Sequence, residues 1–462
     1  MSAIAEALRA MGHTVTGSDL VATPAFQRLQ RAGFALTLGH RATHLGSAEI
    51  VTSSSAIPPD NVELDAARAR GLSVLSRGEM VAAIGATRKV VAVAGTHGKT
   101  TTACMLALIL AEAGLRPSLL VGGELNETGS GARWDDGEWA VLEADESYGT
   151  FLELHPDVAV VTSVETDHLD HYGTRAALVD AFRRFLLGVP GIKVTCADFP
   201  VAAELAKEAG GLTYGTSPDA DYRLVDLHGD RYSVRFSLHH DGGEVATFRL
   251  AVPGAWNARN AAAAAVVALS LGATTDVAAR ALERFSGVAR RYQLRGERHG
   301  VTFVDDYAHL PGEVQPMIET AREGGWQRVV CVFQPHRYTR TAALWQDFAD
   351  AFVGADVLLV TEVYAANESP AAGVSGELIA KAVHERHPTM VVEYVPGRVA
   401  LRERLTEVLL PGDLCLTLGA GDLTTLPGEL LSGPWAASSE GRSGGSSGGD
   451  PSGGDRDTGA GR

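Results

Sequence analysis

The residues best suited to chemistry lie in one short stretch, Gly95-Thr96-His97-Gly98-Lys99-Thr100-Thr101. Small and β-branched apolar residues, Val90 to Ala94, run into it, and an apolar run, Ala103 to Ala111, follows. Strand, glycine turn and helix in that order aim backbone N–H groups and a helix N-terminus at an anion, and Lys99 adds a point charge. A threonine directly after the lysine can place its hydroxyl on the magnesium that accompanies nucleotide phosphates. The full G-x-x-x-x-G-K-[ST] spacing is not met, because Val93 stands where its first glycine would be. The shorter G-x-x-G-K-T form keeps the cradle and the cation. The expectation is a nucleoside triphosphate site rather than a tight turn with a solvated lysine.

Other polar groups follow apolar runs. Trp139 to Leu142 leads into Glu143-Ala144-Asp145-Glu146-Ser147, and Val158 to Thr162 leads into a segment ending in Asp167-His168. Open α/β sheets collect ligand groups outside the carboxyl ends of their strands, so both acidic clusters should converge on the loop's edge. Magnesium takes a few oxygen ligands and bridges phosphates, which suits Glu143, Asp145 and His168 near Thr100. His97 and His171 read as structural on their own. Asn257 and Asn260, one turn apart, could cap the helix they precede or read a purine edge or a ribose. Arg290-Arg291 is either a solvated pair or a guanidinium source for a phosphoryl group in transfer. Asp305-Asp306-Tyr307-Ala308-His309 and His336-Arg337-Tyr338-Thr339-Arg340 each gather polar groups at a strand end, and paired arginines suit a carboxylate. Together these two loops are expected to form the second substrate's site.

The positioning elements read as α/β throughout. Ile4, Leu8 and Met11 share one face of an N-terminal helix. A strand from Thr14 to Gly17 ends in Ser18-Asp19, helix Pro24 to Ala32 follows, and strand Ile50 to Ser53 leads to Ser54. Helix Asn61 to Arg70 and strand Leu72 to Leu75 close a first unit, residues 1–87. A central unit, 88–287, alternates strands and helices and carries antiparallel hairpins from Asp221 to Leu250. A third unit, 288–434, has strands Val301 to Val304, Val329 to Phe333, Val357 to Thr361 and Leu414 to Leu418. Residues 435–462 are Gly- and Ser-rich and should be disordered.

Composition narrows the classes. The 462 residues suit roughly two to four domains. A formal charge of −16 argues against general nucleic-acid affinity. Cys104, Cys196, Cys331 and Cys415 are scattered without C-x-x-C spacing, which speaks against a zinc site or disulfide framework and suits a reducing compartment. The longest apolar run, Ala261 to Leu269, is too short to span a bilayer, and no secretory signal opens the chain. The expected location is the cytoplasm, without membrane insertion.

In these motifs the chain resembles the Mur ligases of peptidoglycan synthesis. The matches are Gly95-Thr-His-Gly-Lys-Thr-Thr101, Glu143-Ala-Asp-Glu-Ser147, Asp167-His168-Leu-Asp170, Asn257-x-x-Asn260, Arg290-Arg291, Asp305-Asp306-Tyr-Ala-His309 and Phe333-Gln-Pro-His-Arg-Tyr-Thr-Arg340. The resemblance implies three α/β domains: a Rossmann-like UDP-sugar-binding unit, a central P-loop ATPase-like parallel sheet and a Rossmann-like amino-acid-binding unit. It also implies ATP and magnesium as cofactors, and UDP-N-acetylmuramate and L-alanine as substrates joined through an acyl phosphate. Lys99, Glu143, His168, Arg291, Asp306 and His309 would then be catalytic. Gly95 to Thr101 with Asn257 and Asn260 would bind ATP, and Thr100, Glu143 and His168 would hold magnesium. Ser18, Asp19, Ser54, Tyr307, His336, Arg337 and Arg340 would bind the other substrates.

The chain also departs from the family pattern. Leu310 stands where a second histidine is usual, and Tyr148 where an aspartate is usual. Asp19 lies about 20 residues after the place where a dinucleotide-type glycine turn would fall, just before Met1. A first strand and glycine loop are therefore expected upstream, and the chain as it stands is expected to have a frayed first sheet and to bind the UDP-sugar weakly. UDP-substrate affinity should rise when such a strand and loop are supplied, and equal affinities would refute the expectation. Two other readings share the motifs: a sister ligase taking a recycled tripeptide, and an idle nucleotide-binding homologue.

Overall fold

The computed structural model describes residues 1–435 apart from Ser55, Glu127 and Pro434, with backbone alone for Tyr148, Leu169 and Asp170. The expected disordered tail from residue 436 onward lies outside the described residues.

Strand Lys89–Ala94 runs near the middle of a ten-stranded sheet, between Val158–Val161 on one side and Trp139–Glu143 on the other. Both neighbours are parallel to it, and Val90 to Ala94 are buried. A strand covered on both faces has no polar side to present, which explains its unbroken apolar run. The sheet continues in parallel through Lys193–Cys196, Leu212–Gly215 and Tyr222–Gly229. The antiparallel strands Val234–His240 and Gly243–Leu250 then extend the same sheet rather than standing beside it.

The helix after the phosphate loop, Lys99–Glu112, is buried on nearly every side. It packs against helix Ala255–Ser270, whose Ala261 to Ala265 are fully buried. Alanine there lets two backbones approach closely at little side-chain entropy cost. That second helix starts earlier than the sequence suggests. Gly254, at φ 95, precedes its first residue, so Asn257 and Asn260 sit inside the helix and neither caps it. The Asn257 amide instead donates to the Pro253 carbonyl at 2.7 Å.

The C-terminal sheet has six strands in the order Gln293–Arg298, Val301–Asp306, Asp413–Leu418, Arg328–Phe333, Val357–Val360 and Val391–Tyr394. The first pair is antiparallel and the remaining pairs are parallel. Strand Gln293–Arg298 escapes sequence reading because it carries only Leu294 and Gly296 among charged and amide residues. Asp305 and Asp306, expected after a strand, belong to it, and both are buried.

In the N-terminal unit, Thr16–Asp19 pairs in parallel with Ala35–Leu38, and Ile50–Ser53 with Ser73–Ser76, as two separate two-stranded sheets. Helices Ser2–Ala10 and Arg77–Gly85 lean on the central sheet. Ile4, Ala7, Met80 and Ile84 share one core with Val90, Ala92, Ala140 and Leu142. Serine 76 begins the second of these helices with a reciprocal capping box to Glu79.

Close packing of the two central helices predicts intolerance to added volume. Ala264→Leu should cost about 1–3 kcal/mol in urea denaturation, as overpacking of a filled core does. An unchanged midpoint would show that room exists between the helices.

Candidate active site

The phosphate loop takes its shape from two glycines. Gly95 has φ 125 and Gly98 φ 79, a region that β-carbon-bearing residues avoid. A side chain at Gly95 would collide with Thr162, and one at Gly98 with the Asn260 amide. The loop is tied to the end of the neighbouring strand: Ser163 Oγ accepts from the His97 N–H at 3.0 Å, and Thr96 Oγ1 accepts from the Glu165 N–H at 2.9 Å. Lys99 folds back over the turn. Its Nζ donates to the Gly95 carbonyl at 2.8 Å and to both oxygens of Glu146 at 2.8 and 2.9 Å. Burial works against the Lys99 ammonium, but Glu146, Asp145 and Glu143 together hold its pKa above the usual lysine range. Burial also raises the Glu146 carboxyl, and Lys99 offsets part of that rise. Sequence reading gave Glu146 no role, although it stands in the acidic run that pointed to the site.

Oxygen donors flank this pair. Thr100 Oγ1 donates to Glu143 at 3.0 Å, and the Gly122 N–H donates to the same carboxylate oxygen at 2.6 Å. Asp145, Glu146 and His168 offer ligand atoms within 4.8 Å of one another. The expected single set of Thr100, Glu143 and His168 is therefore divided. His168, at φ 53, turns its Nε2 to Ser147 Oγ at 3.1 Å, toward the Asp145 and Glu146 group. Both donor sets are oxygen-rich and partial, which suits magnesium with its retained waters and phosphate oxygens.

A cleft opens between the loop and the C-terminal domain. Helix Pro311–Glu323 forms one wall through Gly312, Glu313, Pro316, Met317 and Thr320, and His97, Gly98, Thr100, Thr101, Trp256, Asn257 and Asn260 form the other. Asn260 accepts from Thr102 Oγ1 at 3.2 Å, while its own amide nitrogen is buried without a partner beside Gly98. It therefore lies at the phosphate end of the cleft. His97 is not an isolated core histidine. Its Nε2 is 3.0 Å from Glu165 and its Nδ1 3.2 Å from Glu313, which belongs to the C-terminal domain. Burial opposes charge on His97, yet the two carboxylates raise its pKa to about 9.

The arginine pair divides its labour. Arg290 donates to the carbonyls of Gly419 and Gly421, whereas Arg291 lines the cleft with its guanidinium 5.1 Å from the Tyr307 ring. Asp306 serves the backbone with both oxygens, accepting from the Tyr292 N–H at 2.6 Å and the Ala308 N–H at 2.7 Å. Burial pushes its carboxyl up to about 6. Asp306 thus shapes the Arg291 loop, and it also lines the cleft.

The His309, His336, Arg337 and Arg340 side chains cluster, with the two arginines supplying the positive charge. The two imidazoles meet edge to face at 5.5 Å, and Arg340 Nη1 lies 3.4 Å from His336 Nδ1. Burial, with His309, Arg340 and Arg337 close by, pushes His336 down to about 3, so its ring is neutral near pH 7. Arg337 sits at φ 68 with its Nε buried and unpartnered, an unmet donor close to the two imidazoles. Tyr364, which the sequence did not single out, stacks on His336 at 5.7 Å.

A second cleft lies between the N-terminal unit and the central sheet, lined by residues 1–4, Arg77, Val81, residues 120–124, Gly131 and Glu143. Ser18, Asp19 and Ser54, expected at the sugar-nucleotide site, do not line it. Ser18 donates to Glu63 at 2.7 Å, Asp19 accepts from the Val21 N–H at 3.1 Å, and Ser54 accepts from the Ala56 N–H at 3.3 Å. Asp19 and Ser54 close their own turns, as short polar side chains at strand ends commonly do, whereas Ser18 reaches across to helix Val62–Ala69. Arg77 takes a place there that periodicity alone had no means to assign.

Comparison with known proteins adds three findings. Profiles of the Mur ligase family catalytic domain, the Mur ligase middle domain and the Mur ligase glutamate ligase domain match residues 1–89, 93–268 and 290–421. The UDP-N-acetylmuramate–L-alanine ligases of Pelotomaculum thermopropionicum and Myxococcus xanthus are 42% and 44% identical to this chain. Each alignment covers 93% of the chain, with 94% and 92% of the respective relative. The crystal structure of the UDP-N-acetylmuramate–alanine ligase of Thermotoga maritima superposes with a TM-score of 0.80 at 28% identity, over 93% of this chain and 95% of the other. A Thermotoga maritima MurF ligase solved with ADP shares the fold, with a TM-score of 0.62 at 19% identity over 84% of this chain and 96% of that one.

The doubly paired His97 predicts a pH-dependent contribution to stability. Its pKa is raised from 6.5 to about 9 on folding. The contribution is therefore complete below pH 6.5, declines above it and is lost beyond about pH 9. At most it amounts to about 3 kcal/mol. Melting temperatures of the wild type and His97→Gln should converge as pH rises through that interval. A gap that stays constant would show that His97 is not held as an imidazolium.

Proposed function

The chain belongs to the Mur ligase family, and from that premise we propose that it is an ATP-dependent UDP-N-acetylmuramate–L-alanine ligase of peptidoglycan precursor synthesis. One observation carries the reading. The two clefts share a wall at a single hydrogen-bonded pair, since Thr100 lines the cleft beside the C-terminal domain and Glu143 lines the cleft beside the N-terminal unit. A nucleotide in the first and a sugar-nucleotide carboxylate reaching in from the second would meet there.

A carboxylate is a poor electrophile. In this reading its oxygen attacks the γ-phosphorus of ATP, ADP leaves, and the resulting acyl phosphate supplies a good leaving group. The alanine amine then attacks the acyl carbon, releasing phosphate and a proton. Lys99 and Arg291 neutralise charge gathering on the transferred phosphoryl group. Magnesium, held at Thr100 and Glu143 or at Asp145, Glu146 and His168, would add charge neutralisation without a proton. Arg337 and Arg340 would take the alanine carboxylate, with neutral His336 and Tyr364 limiting the space around it. His309, its Nδ1 3.0 Å from the Tyr307 carbonyl, sets its ring edge to face against His336 at 5.5 Å. Work on a UDP-sugar with ATP suits a cytoplasmic location, which belongs to the same proposal. Among the described residues no helix is long and apolar enough to cross a membrane.

Phosphate release that requires both UDP-N-acetylmuramate and L-alanine would support the reading. Release with a tripeptide but not with alanine would assign the sister activity, and no acceptor-dependent release would leave a nucleotide-binding homologue. Lys99→Met should lower turnover at least about a hundredfold. It should also destabilise the fold by about 3–5 kcal/mol, because Glu146 loses its partner in the interior. Adding Glu146→Gln should recover stability, measured by urea titration, without recovering turnover.

A further inference from the structure

Helix Pro311–Glu323 is gripped by the central domain at both ends. Beyond its C-terminus, Arg231 on the turn after strand Tyr222–Gly229 donates to the Gly324 and Gly325 carbonyls at 2.8 and 2.9 Å, with its guanidinium 4.1 Å from the Trp326 ring. In the first turn, Glu313 is the point of attachment. Its Oε2 accepts from the backbone N–H groups of His309 and Leu310 at 2.9 and 3.1 Å, and lies 3.1 Å from His309 Nδ1. Its Oε1 lies 3.2 Å from His97 Nδ1, an ion-pair approach without hydrogen-bond alignment. One buried carboxylate thus touches the phosphate loop with one oxygen and the His309 loop with the other.

Capping alone does not require this arrangement. Glutamine satisfies the same backbone donors at that helix position, and apolar contact would hold two domains together at least as strongly as a buried ion pair. What the ion pair adds is direction: His97 and His309 are set at fixed positions on either side of one carboxylate. His309 and His97 hold Glu313 well below the usual carboxylate range despite its burial, so the charge persists.

Resting on the ligase reading, we propose that Glu313 is a positioning residue for the reaction, setting the phosphate loop in register with the amino-acid loop across the domain boundary. Such a residue acts on turnover more than on nucleotide binding, since misplacement of reacting groups appears in kcat.

The test compares Glu313→Gln, His97→Gln, the double variant and Arg231→Ala in the full chain. Glu313→Gln keeps the cap and loses the charge. It should lower kcat about tenfold or more, leave KM for ATP within about threefold, and raise the radius of gyration seen by X-ray scattering. The double variant should be no worse than the poorer single one, because both substitutions break the same link. Arg231→Ala loosens the far end of the helix and should keep kcat within about threefold. Wild-type kcat and scattering in Glu313→Gln, multiplying losses in the double variant, or an equal kcat loss in Arg231→Ala would each overturn the proposal. If the wild type shows no acceptor-dependent turnover, the ligase reading fails separately, and scattering alone decides: expansion in Glu313→Gln supports the register, and equality overturns it.

Discussion

A phosphate loop must keep a cation in a nearly dry turn even when no phosphate is there to meet it. Here the cost is met by Glu146, almost wholly buried, whose two oxygens hold the Lys99 ammonium. Much of the central domain follows from that pairing. The acidic run reaches Lys99 only because strand Trp139–Glu143 lies directly beside Lys89–Ala94, in register from Lys89 with Trp139 to Val93 with Glu143. Strand adjacency therefore sets the electrostatics of the site. Incoming phosphates would compete with Glu146 for the same ammonium, so the resting pair also keeps the lysine oriented over the loop.

The same logic governs the boundary with the C-terminal domain. His97 carries its charge between carboxylates from two domains, and the cleft it lines is walled by a helix of the other domain. A cleft of this kind is complete only when the two domains are docked. The cluster of His309, His336, Arg337 and Arg340 lies on the C-terminal side of that boundary. Its lowered His336 and the buried, unpartnered Arg337 Nε mark a place short of negative charge, which is the support for the carboxylate site proposed there.

Local chemistry made part of this readable in one dimension. The loop from Gly95 to Thr101 needs only consecutive residues, and the buried strands announce themselves as unbroken apolar runs. Where an element's fate depends on remote partners, reading failed in instructive ways. Gln293–Arg298 looks polar because it is an edge strand at the sheet's border. Asn257 and Asn260 look like caps until Gly254 starts the helix before them. Ser18, Asp19 and Ser54 look like ligand groups because strand ends often hold them; here Asp19 and Ser54 close local turns and Ser18 reaches Glu63, 45 positions along the chain. Glu146, Glu165 and Glu313 carry ordinary residue types in ordinary contexts. Their importance is a matter of which cation each one meets.

By itself, the sequence determined the phosphate loop, the acidic runs beside it and the alternation of strands and helices, because each depends on neighbours within a few residues. Tertiary structure alone decided that Lys99 is held by Glu146, that the residues expected to hold magnesium fall into two groups, and that His97 and Glu313 join two domains. Those contacts span 47, 21 and 216 positions of chain, from Lys99 to Glu146, Ser147 to His168 and His97 to Glu313. Only the order of strands and the docking of helix Pro311–Glu323 bring them within hydrogen-bonding reach.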